Sequence, residues 1–209
     1  MNNYSFDAEK SKISGIFKNV KTFLLDFDGT LMNKEIYVEM YPHIVNALEK
    51  KYGDKVKEAI IELKAKTGEV DTYELCAKLN DLNLYYSILP TFIGKSKLLD
   101  GTVDLLKKLN TAGKRVLLIT NSHRRTIDLY LVKHDLGKYF DFVWANEDSD
   151  FSKSDENYWA ELTMATNIIK EESIVISDDL ERDVIPARNF GMKALHLGTD
   201  IISLKEILQ

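Results

Sequence analysis

The chain has 209 residues, 44% hydrophobic and 29% charged, an ordinary globular composition that suits one good core and a small second lobe. A formal net charge of −5 argues against a general nucleic-acid binder, which would carry a basic footprint, and the single cysteine, Cys76, excludes an intramolecular disulfide. The polar N-terminal stretch MNNYSFDAEKSKISGIFKNVK lacks the apolar run of a signal peptide, and no segment approaches the ~20 apolar residues of a membrane helix, so the sequence reads as a soluble, cytoplasmic protein without a membrane partner.

In chain order, the first predicted strand is TFLLDF (22–27). The stretch 34–96 then reads as helical. Ile36, Met40, Ile44 and Leu48 recur every four residues, and Val56, Ile60 and Leu63 continue the pattern after Gly53. Leu75, Leu79 and Leu82 suggest a third helix, with Asp71 or Thr72 as its N-cap. From 97 onwards helices and strands alternate. GTVDLLKKLNTAGK precedes the strand RVLLIT (115–120), and RRTIDLYLVKHDLG precedes FDFVWA (140–145). SDENYWAELTMATNII then leads to SIVISDD (173–179), and ERDVIPARNFGM to KALHL (193–197). Gly113, Gly137 and Gly191 sit where helix C-terminal caps fall. The alternation implies an α/β fold, a doubly wound parallel sheet with helices on both faces, formed by residues 1–33 and 97–209. Residues 34–96 form a small inserted helical lobe.

Ligands bind beyond the carboxyl ends of the strands in such a sheet. Asp26 and Asp28 stand at that end of the first strand, where one aspartate would suffice for a turn. The second strand ends in TNSHRR, with the Thr120 hydroxyl and with Ser122 placed to cap the next helix. The fourth ends in SDDLERD, with Asp178, Asp179 and Asp183, acids that a helix N-terminus would favour on its own account. Lys153, just ahead of a helix, would by itself be an ordinary solvated lysine. Each feature has a plain explanation alone, but the sheet brings them all to one edge. Clustered carboxylates there need a cation, and an all-oxygen site suits Mg²⁺. A lysine and a hydroxyl beside Mg²⁺ suit a phosphoryl group.

These residues resemble the haloacid dehalogenase-like phosphatase superfamily. Its first motif, DxDGT, is present as DFDGT. The second, a strand ending in Thr or Ser, is LLITNS; the third, a lysine before a helix, is KSDENYW; and the fourth, often GDSxxxD, is SDDLERD. The usual Lys-Pro is Lys153-Ser154, and the usual Gly before the fourth-motif Asp is Ser177, departures that alter loop geometry rather than reactive groups. TNSHRR and KSDENYW also resemble a bacterial branch that hydrolyses purine nucleoside monophosphates.

The resemblance implies Asp26 as the nucleophile that forms an aspartyl-phosphate, and Asp28 as general acid and then base. Mg²⁺ would be held by the Asp26 and Asp178 carboxylates and the Asp28 backbone carbonyl. Thr120 and Lys153 would hold phosphoryl oxygens, with Gly29, Thr30, Asn121 and His123 as further substrate contacts. Asp179 and Asp183 would orient waters or Lys153. The 34–96 lobe resembles a helical cap that closes over such a site, with Tyr37, Tyr41, Tyr73, Tyr85 and Tyr86 as candidates to touch substrate. The expected partner is a small phosphorylated metabolite, possible nucleoside 5′-monophosphates among them. A sugar-phosphate or phosphoglycolate phosphatase, a phosphotransferase or mutase, and an idle phosphate-binding protein remain as alternatives. The oligomeric state is open.

Overall fold

β1 (Thr22–Leu25) is the hub of the sheet, pairing in parallel with β2 (Arg115–Ile119) on one side and β4 (Ser173–Ser177) on the other. β3 (Phe142–Trp144) extends the sheet beyond β2 and β5 (Lys193–His196) beyond β4, giving the order β3-β2-β1-β4-β5. These are the relations within a computed structural model, which describes residues 17, 19–68 and 70–208. Most of the polar N-terminal stretch read above lies outside those residues.

All four residues of β1 and all five of β4 are buried, as expected for parallel strands covered on both faces. On one face Leu24, Leu117 and Val175 pack with Tyr158, Trp159 and Leu162 of α7 (Glu156–Thr166) and with Ala187 of α8 (Ile185–Asn189). Helices α5 (Thr102–Thr111) and α6 (Arg124–Lys133) also bury apolar stripes, Leu105, Leu106 and Leu109 in the first and Ile127, Tyr130 and Leu131 in the second. Tyr130 meets the Phe27 ring at 5.6 Å between centroids. The fold is therefore the doubly wound α/β sheet that the alternation implied.

By contact density the chain divides into two units, one made of the described residues up to Asn33 and from Lys97 onwards, the other Lys34–Ser96. In the first unit the chain leaving β1 lies beside the chain returning to it, with Asn33 N donating to Lys97 O at 2.9 Å and Leu99 N to Leu31 O at 2.9 Å. The second unit contains α1 (Glu35–Tyr52), α2 (Lys55–Thr67), α3 (Thr72–Lys78) and α4 (Leu82–Ile93). Ile36, Met40, Ile44 and Leu48 form the buried stripe of α1, as their spacing requires. Asp71 caps α3, its side chain accepting from Glu74 N at 2.9 Å. The predicted third helix is in fact two. Asn80 takes a left-handed φ of 55°, which ends the run, and Leu82 opens α4. The buried Asp81 between them accepts from Lys51 Nζ at 2.8 Å and from Tyr52 OH at 3.0 Å, tying the break to α1.

Two other local expectations change. Gly137 does not cap α6: the left-handed residue is Asp135 (φ 54°), and Gly137 instead opens a short 3₁₀ turn, Gly137–Tyr139. Gly113 and Gly191 do take left-handed φ values after α5 and α8. The segment ERDVIPARNFGM is not one helix either. It begins as a wide π-type turn, Leu180–Val184, closed by Ile185 N donating to Leu180 O, and becomes α-helical only at Ile185. Pro186 has no N–H to give the Arg182 carbonyl, so a regular helix could not run through this point unbroken.

The central position of β1 gives a stability prediction. Leu24, wholly buried between β2 and β4, should cost about 2–5 kcal/mol on replacement by alanine in urea unfolding. A loss under about 1 kcal/mol would be outside the range for a packed core leucine and would contradict its placement there.

Candidate active site

Asp26 follows β1 directly and its N–H still bonds across to Ile176 O of β4 at 3.0 Å, so its backbone is an extension of the sheet. The chain then turns at Gly29, whose φ of 85° suits glycine, and Gly29 N donates to Met32 O at 2.7 Å. That turn returns Thr30 to the sheet edge. The buried Thr30 hydroxyl accepts from Asp178 N at 2.9 Å and lies 3.2 Å from Asp26 Oδ2 and 3.3 Å from Asp178 Oδ1. DFDGT thus stitches the end of β1 to the end of β4 through one side chain.

Lys153 is the largest departure from the ordinary fate of a lysine. It is 1% exposed, and its ammonium donates to Asp26 Oδ1 at 2.6 Å and to Asp183 Oδ2 at 2.8 Å. Two neighbours set this arrangement. Trp159 Nε1 of α7 donates to the Lys153 carbonyl at 2.8 Å, fixing the turn that carries it. Ser177 Oγ donates to Asp183 Oδ2 at 2.7 Å and accepts from Asp179 N at 3.1 Å, fixing the carboxylate that faces it. Burial alone would favour neutral Lys153, but Asp183 and Asp26 hold its ammonium well above the usual lysine range. Burial pushes the Asp26 carboxyl up to about 7, against the downward pull of Lys153 and with further upward pushes from Asp183 and Asp28. The buried Tyr158 phenol has no hydrogen-bond partner and is pushed up chiefly by burial, so it adds no charge.

Thr120 comes to the same edge from β2. It is 1% exposed, its N–H bonds to Trp144 O at 2.9 Å, and its Oγ1 accepts from Ser122 N at 3.0 Å, which leaves the hydroxyl proton to donate. Asn121 is exposed in this loop. Ser122 does not cap α6 as the sequence suggested. Its hydroxyl donates to Asp28 Oδ2 at 3.0 Å, and the helix is capped from elsewhere, by Glu147 Oε2 accepting from Arg124 N at 2.9 Å. The other Glu147 oxygen is 2.7 Å from His123 Nδ1. Asp179 caps the π-type turn by accepting from Arg182 N at 2.9 Å, whereas Asp183 is the acid that touches Lys153. In the helical unit, Tyr73, Tyr85 and Tyr86 pack edge to face on one another, with centroids 5.1–6.3 Å apart, and Tyr37 and Tyr41 are half-buried on α1. Ser122, Glu147, Ser177 and Trp159 therefore have positions at or behind the edge that only the folded chain shows.

Asp26 and Asp183 meet the buried Lys153 ammonium, the Thr30 hydroxyl lies between Asp26 and Asp178, and Asp28 lies near enough to push the Asp26 carboxyl up. Among the described residues no three His, Cys, Asp or Glu side chains converge as a ready-made metal centre. Mg²⁺ does not require one, since it keeps several waters and takes one or two carboxylates. Asp26 and Asp178 offer those two, both beside the Thr30 hydroxyl. That hard, all-oxygen donor set fits Mg²⁺.

The buried Lys153–Asp183 pair should be costly to break. Asp183→Ala leaves the ammonium with one carboxylate in a dry site, and denaturant unfolding should show a loss of about 3–5 kcal/mol. A loss below about 1 kcal/mol, typical of an exposed pair, would contradict the burial described.

Comparison with known proteins agrees with this architecture. The family model described as haloacid dehalogenase-like hydrolase matches residues 23–197. The chain is 26% identical over 186 residues to the GMP/IMP nucleotidase YrfG of Escherichia coli (strain K12), covering 85% of this chain and 82% of that protein. Among solved structures, an HAD phosphatase from Thermococcus onnurineus superposes with a TM-score of 0.75 at 21% identity, over 90% of this chain and 96% of that one. The HAD-hydrolase YfnB from Bacillus subtilis, bound to magnesium, superposes with a TM-score of 0.61 at 19% identity, over 85% and 86% of the two chains. With four motif segments meeting at one sheet edge and the family model spanning most of its length, the chain belongs to the haloacid dehalogenase-like hydrolase family and is an enzyme.

Proposed function

We propose that this hydrolase is a Mg²⁺-dependent phosphomonoesterase that works through an aspartyl-phosphate on Asp26. The observation that carries the reading is the buried Asp26 carboxylate held at 2.6 Å by Lys153 at the carboxyl edge of the sheet, with Asp28, Thr120 and Asp178 around it. Asp26 is buried and restrained on both oxygens, which suits a nucleophile that must meet phosphorus in one orientation. Lys153 and the Thr120 hydroxyl supply the positive charge and the donor for the oxygens of the transferring group. Mg²⁺ held by Asp26, Asp178 and the Asp28 carbonyl would neutralise phosphoryl charge beside the nucleophile. Magnesium bound to the structural relative YfnB supports that assignment.

The atoms balance over two steps. An Asp26 oxygen bonds to phosphorus as the ester P–O bond breaks, and the leaving oxygen takes the Asp28 proton. Asp28, now a carboxylate, removes a proton from water, whose oxygen bonds to phosphorus as the P–O(Asp26) bond breaks. Alcohol and inorganic phosphate leave, and both aspartates return to their starting states. Asp26→Asn should fold and bind but lose all measurable turnover, because an amide oxygen is a poor nucleophile. Normal turnover by purified Asp26→Asn protein would exclude this residue. EDTA should abolish hydrolysis and excess Mg²⁺ restore it; full activity in chelator would overturn the metal assignment.

For the substrate we propose a nucleoside 5′-monophosphate. The likeness to YrfG, named as a GMP/IMP nucleotidase, supports this reading. The unit Lys34–Ser96 would serve as the specificity cap, since it is inserted between the first two motif strands. Inosine or guanosine monophosphate should therefore show a higher kcat/KM than ribose 5-phosphate or phosphoglycolate. Equal values would remove the nucleotide from the proposal and leave a phosphatase of small metabolites.

A further inference from the structure

We infer that Ser122 is a positioning residue for Asp28, holding the carboxyl that moves protons in both half-reactions; the inference rests on the phosphatase reading above. Asp28 is carried on the turn after β1, outside the regular strand, and its side chain has two rotatable bonds of its own. Proton transfer to a leaving oxygen needs that carboxyl in one direction, and a small misplacement is expensive in rate. Ser122 Oγ donates to Asp28 Oδ2 at 3.0 Å, and a planar carboxyl anchored at one oxygen has the direction of the other fixed as well.

Two independent features suit Ser122 to this task. Its backbone is restrained on both sides, with its N–H donating to Thr120 Oγ1 at 3.0 Å and its carbonyl accepting from Asn146 N at 3.1 Å. The anchor on Asp28 is therefore tied to the phosphoryl-contacting Thr120 through a two-residue turn. The second feature is the release of Ser122 from the role its sequence position suggests. A serine this close to a helix start ordinarily caps it, but here Glu147 caps α6 from the loop after β3. The Ser122 hydroxyl is left for Asp28.

In the first half-reaction the leaving alkoxide takes the Asp28 proton as the ester P–O bond breaks, and the resulting carboxylate accepts from the Ser122 hydroxyl. The hydroxyl itself gains and loses no proton. Help to a departing alkoxide matters for a basic alcohol and little for p-nitrophenolate, which leaves unaided. A loss confined to Asp28 positioning therefore differs from general damage to the site.

The experiment compares wild type, Ser122→Ala and Ser122→Thr on inosine monophosphate and on p-nitrophenyl phosphate with saturating Mg²⁺. kcat/KM is the readout because it reports the steps through departure of the leaving group. Ser122→Ala should lower kcat/KM for the nucleotide about tenfold or more, a part of the ~10²–10⁴-fold typical of proton transfer, with little change for p-nitrophenyl phosphate. Ser122→Thr, which keeps the hydroxyl, should recover most of the loss. In an Asp28→Asn background, Ser122→Ala should cost nothing further, since the two residues act as a unit. Equal losses on both esters, no loss on either, or an undiminished loss in the Asp28→Asn background would each overturn the inference. If the wild-type enzyme hydrolyses neither ester, the phosphatase reading falls first and takes the inference with it.

Discussion

The site depends on one ammonium group in a dry place. Lys153 lies between Asp26 and Asp183, with its stem in the core, its carbonyl held by the Trp159 indole and its counter-charge held by Ser177. Without it, Asp26 would face Asp28 and Asp183 across a low-dielectric interior, where like charges cannot all remain ionised. A buried pair of this kind is poor value as a source of stability, because its desolvation offsets most of the attraction. Its worth is positional: it fixes one oxygen of the Asp26 carboxylate and puts positive charge beside it.

The sheet makes this possible by bringing distant segments together. β1, β2 and β4 each end at the same edge, delivering Asp26, Thr120 and Asp178, and the turn before α7 brings Lys153 to them. The links among these ends are side-chain hydroxyls. Thr30 joins the ends of β1 and β4, Ser122 joins the loops after β1 and β2, and Ser177 joins β4 to the turn that carries Asp183. Short hydroxyl bridges of this type hold loops in register with little bulk and restrain the acids they join.

Much of the architecture was legible in the sequence, for a physical reason. Parallel strands buried on both faces read as short apolar runs, so β1, β2 and β4 were clear, though each strand proved one or two residues shorter than its run. The carboxyl-edge acids were visible as a pattern once the strands were placed. The burial of Lys153 was not, since its partner Trp159 and its counter-ions stand 6 to 127 residues away and leave no periodic trace. Ser122 was misread as a cap because local propensity favours that role, and only the long-range bond from Glu147 to Arg124 shows it unnecessary. Asn80 and Asp135 were missed for a related reason: each adopts a left-handed conformation that sequence alone credits first to glycine. No described helix is long and apolar enough to cross a membrane, in keeping with the sequence.

The central claim is that phosphate passes through a covalent bond to Asp26. Acid quenching during turnover of a phosphomonoester, followed by proteolysis and mass spectrometry, tests it directly. The account predicts one added phosphoryl group on the peptide containing Asp26, lost on treatment with hydroxylamine and absent from Asp26→Asn protein. A phosphoryl group found on another residue, or rapid turnover with no phosphoenzyme even in a rapid-quench burst, would contradict it.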